Sequence, residues 1–402
     1  MSNKCNWLGL TLDSPFVLAS LTLFSHVEVN LHSKYFIKCA CAGAGAVILP
    51  SVNPVSINSS DKYNYVKTRT AVVESGLGSN MGFAVLGPTS PNIVSVNYVA
   101  SLAQKLQQKH IGVPVIGSIA NIGTIEEFSN ALVQLVKLPI AGVELNFSCP
   151  NALTKEHGTL YSYDVYIDKA RQICGELPVS LKLSPSIKLD DINESALSKI
   201  QGLTLTNAYI GLMPPNIDSP QTSRFSDSGF WAPTGVYGPQ ERLLTYFSLY
   251  KAHKLAAKFD LDLSCVGGII NPDQAIQALL LGASTIQLSS AIAWKGMASF
   301  EQFNTRLETY LKDRNLENVN DIIGESLPYI LENADDAAKY LNVEAKRCVG
   351  DRCRLCNRCS CVDKLCIAIS QNTYDSKPLI NKALCSGCGW CELVCPYHAI
   401  TH

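Results

Sequence analysis

Apolar residues along this 402-residue chain gather in short, β-branched runs, and the longer stretches between them carry apolar positions every three or four residues. The runs are "FVLAS" (16–20), "GAVILP" (45–50), "VPVIGS" (113–118), "AGVELNF" (141–147), "PVSLKL" (178–183), "GLTLTN" (202–207), "DLSCV" (262–266) and "STIQL" (284–288). Each reads as a strand. Intervening segments such as "VNYVASLAQKLQQKH" and "NPDQAIQALLLGA" have the spacing of crossover helices. Eight βα units in about 300 residues predict an α/β fold, a closed parallel (β/α)8 TIM barrel. An open doubly wound sheet would advertise itself with GxGxxG after an early strand. The nearest approach, "GLGSNMG" (76–82), has the wrong spacing.

Two connections are too long for ordinary βα loops, roughly residues 51–95 and 208–240. Both would rise from the C-terminal face of the barrel, where active sites of this fold are built. Helical segments near 298–313 and 333–342 lead into a cysteine-rich tail. The expected organisation is a barrel over 1–312, a helical connection over 313–345 and a small ferredoxin-like iron–sulfur domain over 346–402.

Composition narrows the class of function. Charged residues make up 17%, hydrophobic ones 47%, and the net charge is -1, which argues against both a disordered chain and a basic nucleic-acid binder. The N-terminus lacks a basic start followed by a long apolar stretch, and no segment reaches the ~18 apolar residues of a membrane span. The expectation is a cytoplasmic protein.

Ten of the sixteen cysteines crowd into the tail, which argues for metal ligation rather than disulfides. "CSGCGWCELVCP" spaces Cys385, Cys388, Cys391 and Cys395 as CxxCxxCxxxCP. In that pattern three close thiolates hold three corners of a [4Fe-4S] cube, and the fourth, sent away by Pro396, serves a second cluster. A zinc site from Cys353, Cys356, Cys385 and Cys388 would leave Cys391 and Cys395 unused and the proline unexplained. The upstream half holds six thiols for four places. One solution takes Cys353, Cys356 and Cys359 with Cys361 or Cys366; the other takes Cys348, Cys353, Cys356 and Cys361. The same segment carries Lys346, Arg347, Arg352, Arg354, Arg358 and Lys364, which offset cluster charge or form a docking patch for an acidic redox partner.

A two-cluster module moves single electrons, so the barrel should hold a redox centre that exchanges with it. Gly267 and Gly268 follow the seventh run, and Ser289 and Ser290 follow the eighth, the usual phosphate site of this fold. Lys182 sits inside the fifth run, where an ammonium is costly unless it meets an anion. "NFSCPN" places Cys149 at the end of the fourth run. Its bland reading is a small buried hydrophobe, as for Cys39, Cys41 and Cys265. Its position at a strand C-terminus favours chemistry instead.

From "SPFVLAS" through "VELNFSCPN", "SLKLSP", "LTNA", "CVGGI" and "GASTIQLSSA" to "CSGCGWCELVCP", the chain resembles the dihydropyrimidine dehydrogenase family and, more distantly, the dihydroorotate dehydrogenases. The resemblance implies FMN at the barrel mouth and two [4Fe-4S] clusters in the tail. It places Ala19 and Ser20 along the flavin, Lys182 at its N1/O2 edge, and Gly267, Gly268, Ser289 and Ser290 at its phosphate. Asn146, Asn151, Thr206 and Asn207 would bind a planar pyrimidine. Cys149 would be the general acid/base on a loop over roughly 149–164, moving a proton at one carbon of the C5–C6 bond while hydride passes between the other and the flavin. A thiol with a pKa of about 8.5 suits that role.

The metal ligands expected on this reading are Cys353, Cys356, Cys359, Cys361, Cys385, Cys388, Cys391 and Cys395. The electron partner would be an NAD(P)H/FAD flavoprotein subunit or a ferredoxin, and a homo-oligomer is expected. The chain departs from the family at Pro50, where a lysine is usual, at Leu21 and at Tyr237. Two other readings remain: a dihydroorotate dehydrogenase proper, and a non-catalytic electron-transfer subunit.

Overall fold

The computed structural model describes residues 2–20, 28–54, 69–71, 84–86, 94–120, 123–148, 162–185, 189, 192–207, 209–211, 217–219, 234–236, 242–330, 342–343, 348, 366–370 and 377–401. Their contacts divide the chain into two compact units, Met1–Leu327 and Pro328–His402.

In the first unit eight parallel strands close on themselves. They are β1 (Phe16–Leu18), β2 (Ala46–Ile48), β3 (Val115–Ala120), β4 (Gly142–Phe147), β5 (Val179–Leu183), β6 (Gly202–Leu205), β7 (Asp262–Val266) and β8 (Thr285–Leu288). Each pairs with the next, and β8 returns to β1, so the ring follows chain order. All eight predicted runs become barrel strands. The largest shift is in β3, which begins two residues beyond the start of its run because Pro114 cannot donate to the ladder.

Crossover helices cover the outside: α1 (Val29–Cys41), α2 (Val96–Gln108), α3 (Ile125–Leu135), α4 (Tyr163–Cys174), α5 (Glu194–Leu197), α6 (Arg242–Phe259), α7 (Pro272–Leu280), α8 (Ser290–Lys295) and α9 (Ser299–Asp313). Their starts are written in the sequence. Thr124 and Glu127 form a reciprocal capping box on α3, and Asn271 and Gln274 do the same on α7 with Pro272 at its first position. On α2 the buried side chains are Val99, Leu102, Ala103 and Leu106, one face at helical spacing.

A hairpin of Cys5–Trp7 and Leu10–Leu12 closes the N-terminal end of the barrel. Its turn is pinned by Leu8 N–H donating to Asp262 Oδ2 at 2.6 Å. Gly202 lies close by, where a Cβ would stand 2.7 Å from Leu8 Cδ2 and push that side chain aside. The opposite end receives the two long connections, and each contains an antiparallel pair: Arg69–Ala71 with Ala84–Leu86, and Tyr209–Gly211 with Thr234–Val236. The strands Ala84–Leu86 and Thr234–Val236 lie against each other, so both connections meet above the C-terminal face.

Of the helical connection expected over 313–345, the described residues are 313–330 and 342–343. Leu316, Val319 and Ile322 pack into the barrel core, and Val319–Asp321 is a single 3-10 turn capped by Asn318. Burial of those three apolar residues draws the segment onto the barrel, and the units divide at Leu327/Pro328. Further on, Asn342–Val343 is a strand paired with Ile400–Thr401. Residues 331–341 lie outside the described set.

Among the described residues the second unit has two short antiparallel pairs, the one just named and Ile369–Ser370 with Leu379–Ile380, plus one helical turn at Trp390–Leu393. Its small core is Ile369, Cys391 and Ile400, with Cys366, Ile380 and Cys385 packed against it. Most of the first unit's core lies between barrel and helices, where the Phe16 ring meets Phe303 of α9 edge-on at 5.4 Å. Phe303→Ala should lower unfolding free energy by about 3–5 kcal/mol, read as a drop in urea midpoint at constant slope.

Candidate active site

Strand register decides which side chains face into the barrel. Opposite-neighbour pairs run Gln287 to Val17, Ser118 to Glu144, Asn146 to Lys182, Lys182 to Thr204 and Thr204 to Ser264. Barrels of this type usually fill that space with branched apolar side chains. Here Ser118, Glu144, Asn146, Ser180, Lys182, Thr204, Ser264, Thr285 and Gln287 are all buried.

Deep in the barrel, Lys182 and Glu144 form an ion pair, Nζ to Oε1 at 3.8 Å, with side chains 2% and 0% exposed. Gln287 bridges them. Its Nε2 donates to Glu144 Oε2 at 2.9 Å and to Thr204 Oγ1 at 3.1 Å, while its Oε1 accepts from Lys182 Nζ at 3.5 Å. Thr204 adds a bond to the same Glu144 oxygen at 3.3 Å. The anion that the buried ammonium demands is therefore supplied by the neighbouring strand. Sequence reasoning missed Glu144 and Gln287. The available signal was a charged residue in the otherwise apolar "AGVELNF", in phase with Asn146.

Nearer the C-terminal end, hydroxyls and amides form a continuous chain. Ser20 Oγ meets Ser51 Oγ at 3.1 Å, and Ser51 Oγ meets Ser118 Oγ at 2.8 Å. Asn146 Nδ2 donates to Ser51 Oγ at 2.8 Å, and Asn146 Oδ1 accepts from Ser148 Oγ at 2.6 Å. Asn207 Nδ2 then donates to Ser148 O at 3.2 Å. Ser20, Asn146 and Asn207 are thus joined across strands β1, β4 and β6 through Ser51 and Ser148. Because Asn146 Oδ1 takes both the hydroxyl and the N–H of Ser148, its amide orientation is set. Thr206 turns elsewhere, to Thr245 Oγ1 on α6 at 3.3 Å, and is buried. Pro50, where a family lysine was expected, precedes Ser51, the hub of the chain.

Cys149 and Asn151 lie outside the described residues, directly after Ser148. Cys5, Cys39, Cys174 and Cys265 are inert by burial. Cys39 and Cys5 are pushed up to about 12 and Cys174 to about 11, and burial raises Cys265 as well. Cys41, expected to be buried, is exposed at the last position of α1. It lies off the buried stripe that Phe36 and Cys39 form on that helix.

After β7 and β8, Gly267 and Gly268 adopt φ of 115° and 72°, a region that favours glycine. A Cβ on Gly268 would stand 2.5 Å from Arg242 N, the first residue of α6. Arg242 Nε is buried without a hydrogen-bond partner among the described residues. Ser289 and Ser290 stand at the start of α8. A tight double-glycine turn, two serines and an unpartnered guanidinium nitrogen suit an anionic phosphate, and Ala19, Ser20 and Lys182 lie at the ends of β1 and β5. These residues fit FMN.

In the second unit, Cys391 and Cys395 are buried and Cys388 is exposed. Gly387 N–H donates to Cys385 Sγ at 3.4 Å and Ala399 N–H to Cys395 Sγ at 3.3 Å. Burial raises the Cys391 thiol, and nearby Cys388 and Cys385 raise it further. Among the described residues no three Cys, His, Asp or Glu side chains close around a single ion. Ligands of a four-iron cube each bind a different iron and stand further apart than those of one ion. Cys353, Cys356, Cys359 and Cys361 lie outside the described residues; Cys348 and Cys366 are described and half-buried.

A parallel eight-stranded barrel with a polar interior, a phosphate-type turn after its last strands and a separate cysteine unit defines a flavin-using oxidoreductase linked to iron–sulfur chemistry. The chain belongs to the dihydroorotate dehydrogenase family, whose pattern matches residues 6–311. Members are FMN proteins of pyrimidine metabolism that act on CH–CH bonds. A 4Fe-4S binding domain matches residues 378–401.

Among relatives, the catalytic subunit of dihydroorotate dehydrogenase B (NAD(+)) from Pyrococcus furiosus is 28% identical over 332 residues, 81% of this chain and 98% of that protein. Its counterpart from Thermococcus kodakarensis is 31% identical over 219 residues, 53% of this chain and 68% of that protein. The chloroplastic dihydropyrimidine dehydrogenase (NADP(+)) of Arabidopsis thaliana is 22% identical over 346 residues, 81% of this chain and 77% of that protein. Among the described residues no helix is long and apolar enough to cross a membrane. Gly268→Ala should reduce flavin content per protein, measured by absorbance after desalting, because its Cβ forces Arg242 away from the turn.

Proposed function

We propose that the chain is the catalytic subunit of an FMN-dependent oxidoreductase that interconverts a dihydropyrimidine and its C5–C6 unsaturated form, with dihydroorotate and orotate as the leading pair. The observation that carries this reading is the hydrogen-bonded chain from Ser20 to Asn207. It holds amides and hydroxyls in fixed orientation where a flat ring with alternating N–H and C=O groups would lie, immediately before Cys149. The similarity to dihydroorotate dehydrogenase B catalytic subunits supports dihydroorotate over an uncharged pyrimidine.

FMN, when bound, accepts the hydride and can release two electrons singly. The protein's own groups do the rest. Asn146 and Asn207, with Asn151, bind the ring amides and set the reacting carbons. In the oxidising direction the Cys149 thiolate takes the proton from C5, which is acidified by the adjacent carbonyl, as the hydride departs from C6. The C5=C6 bond forms, and the thiol returns its proton to solvent. Lys182 stabilises the negative charge that reduction brings to the site. Electrons leave through the cysteine unit to a partner subunit, as the naming of the relatives as catalytic subunits suggests.

A second reading, an uncharged dihydropyrimidine as substrate, is favoured by Pro50–Ser51. That segment puts a neutral hydroxyl hub where the resemblance has a flavin-side lysine, so it brings no cation to a substrate carboxylate. Turnover of dihydroorotate and dihydrouracil with an artificial electron acceptor separates the two. Activity with dihydrouracil alone selects the second, and activity with neither overturns both. Cys149→Ser should keep FMN and slow turnover by about a hundredfold or more near neutral pH, within the range general acid–base catalysis supplies. An unchanged rate would remove Cys149 from the mechanism.

For the clusters, we propose Cys385, Cys388 and Cys391 as one set, with Cys366 as the fourth ligand, since Cys366 packs on the same small core as Cys385 and Cys391. Cys395 would then serve the other cluster with Cys353, Cys356 and Cys359, replacing Cys361 in the expected set. Cys366→Ala should lower the iron content while leaving the flavin in place, whereas Cys361→Ala should leave the iron unchanged.

A further inference from the structure

We propose that Glu144 is a positioning residue that keeps Lys182 charged and in place in both oxidation states of the flavin. The inference rests on FMN binding at the barrel mouth. Glu144 is fully buried, and its two oxygens are used differently. Oε2 takes hydrogen bonds from Gln287 and Thr204. Oε1 has no hydrogen-bond partner among the described residues and faces Lys182 Nζ. A structural ion pair would ordinarily satisfy both oxygens, because an unsatisfied buried lone pair is costly. Here one oxygen is left to act on the ammonium through charge alone.

Gln287 makes the arrangement directional. Its Nε2 faces the carboxylate and its Oε1 faces the ammonium, so the amide cannot flip without setting like against like at both ends. The groups facing Lys182 are Glu144 and Asn146 from β4, Thr204 from β6 and Gln287 from β8. Among the described residues Glu144 is the one ionisable group of these. Its carboxylate stands opposite a lysine only 2% exposed before any negative charge arrives from reduction.

The proton balance follows. With Glu144 present, reduction of the flavin to its anionic form consumes two electrons and one proton, and Lys182 exchanges none. With the carboxylate neutralised, the lone buried ammonium releases its proton to solvent while the flavin is oxidised. It recovers that proton when reduction places negative charge beside it, so reduction consumes two electrons and two protons.

The test is the flavin midpoint potential against mildly alkaline pH, by anaerobic spectroelectrochemistry on the FMN-loaded full chain. The intact protein should fall by about 30 mV per pH unit, one proton per two electrons, and Glu144→Gln by about 60 mV per pH unit. A purely structural pair predicts a lower melting temperature for Glu144→Gln with an unchanged slope, and that result overturns the proposal. Intact protein without flavin would overturn both this inference and the proposed function. Flavin with unchanged slopes overturns only the role of Glu144.

Should Glu144→Gln fail to retain flavin, Lys182→Gln gives an independent reading. A carboxylate deprived of its cation takes a proton, so infrared spectra should show a buried carboxylic acid band in Lys182→Gln that the intact protein lacks. Absence of that band overturns the proposal.

Discussion

A lysine and a glutamate, both withdrawn from water inside a parallel barrel, set the terms for the rest of the barrel unit. Two charges in that environment carry a desolvation penalty of several kcal/mol each unless geometry and hydrogen bonds offset it. The compensation is Gln287, reaching across the ring from β8, and Thr204, from β6 beside the lysine's own strand. An apolar filling would have been more stable and chemically mute. Polar residues at the middle of β4, β5, β6 and β8 therefore point to a site at the strand ends rather than to folding alone.

Above the ion pair, Ser51 does for hydrogen bonds what Gln287 does for charge. It gathers Ser20, Ser118 and Asn146 and holds the Asn146 amide, three residues before Cys149. On the proposed reading, charge is handled at depth, hydrogen-bond recognition at the mouth, and protons by Cys149. Iron belongs to a separate unit whose small core is partly made of cysteine. In the proposed function, the two compact units separate two-electron ring chemistry from one-electron transport.

The strands were legible because each is an apolar run ended by Gly, Pro or a polar residue, and the helices because their caps and stripes are local. Lys182, Gly268 and Asn146 were legible for a similar reason, since each breaks a local pattern. Glu144, Gln287, Ser51 and Ser118 were not, because their meaning lies in partners 31 to 143 residues away in sequence. Cys41 was misread because cysteine's usual burial says nothing about which face of α1 it occupies. After α9, Leu316, Val319 and Ile322 pack on the barrel core, a contact that no local pattern announces.

The central claim is that this polar barrel holds a flavin that a dihydropyrimidine ring can reduce. Its most direct measurement is the visible absorbance of the anaerobic, FMN-loaded chain on addition of dihydroorotate or dihydrouracil. The account predicts bleaching of the flavin band by at least one of them, followed by loss of cluster absorbance as electrons move on. A stoichiometrically bound flavin whose band no dihydropyrimidine alters would contradict it.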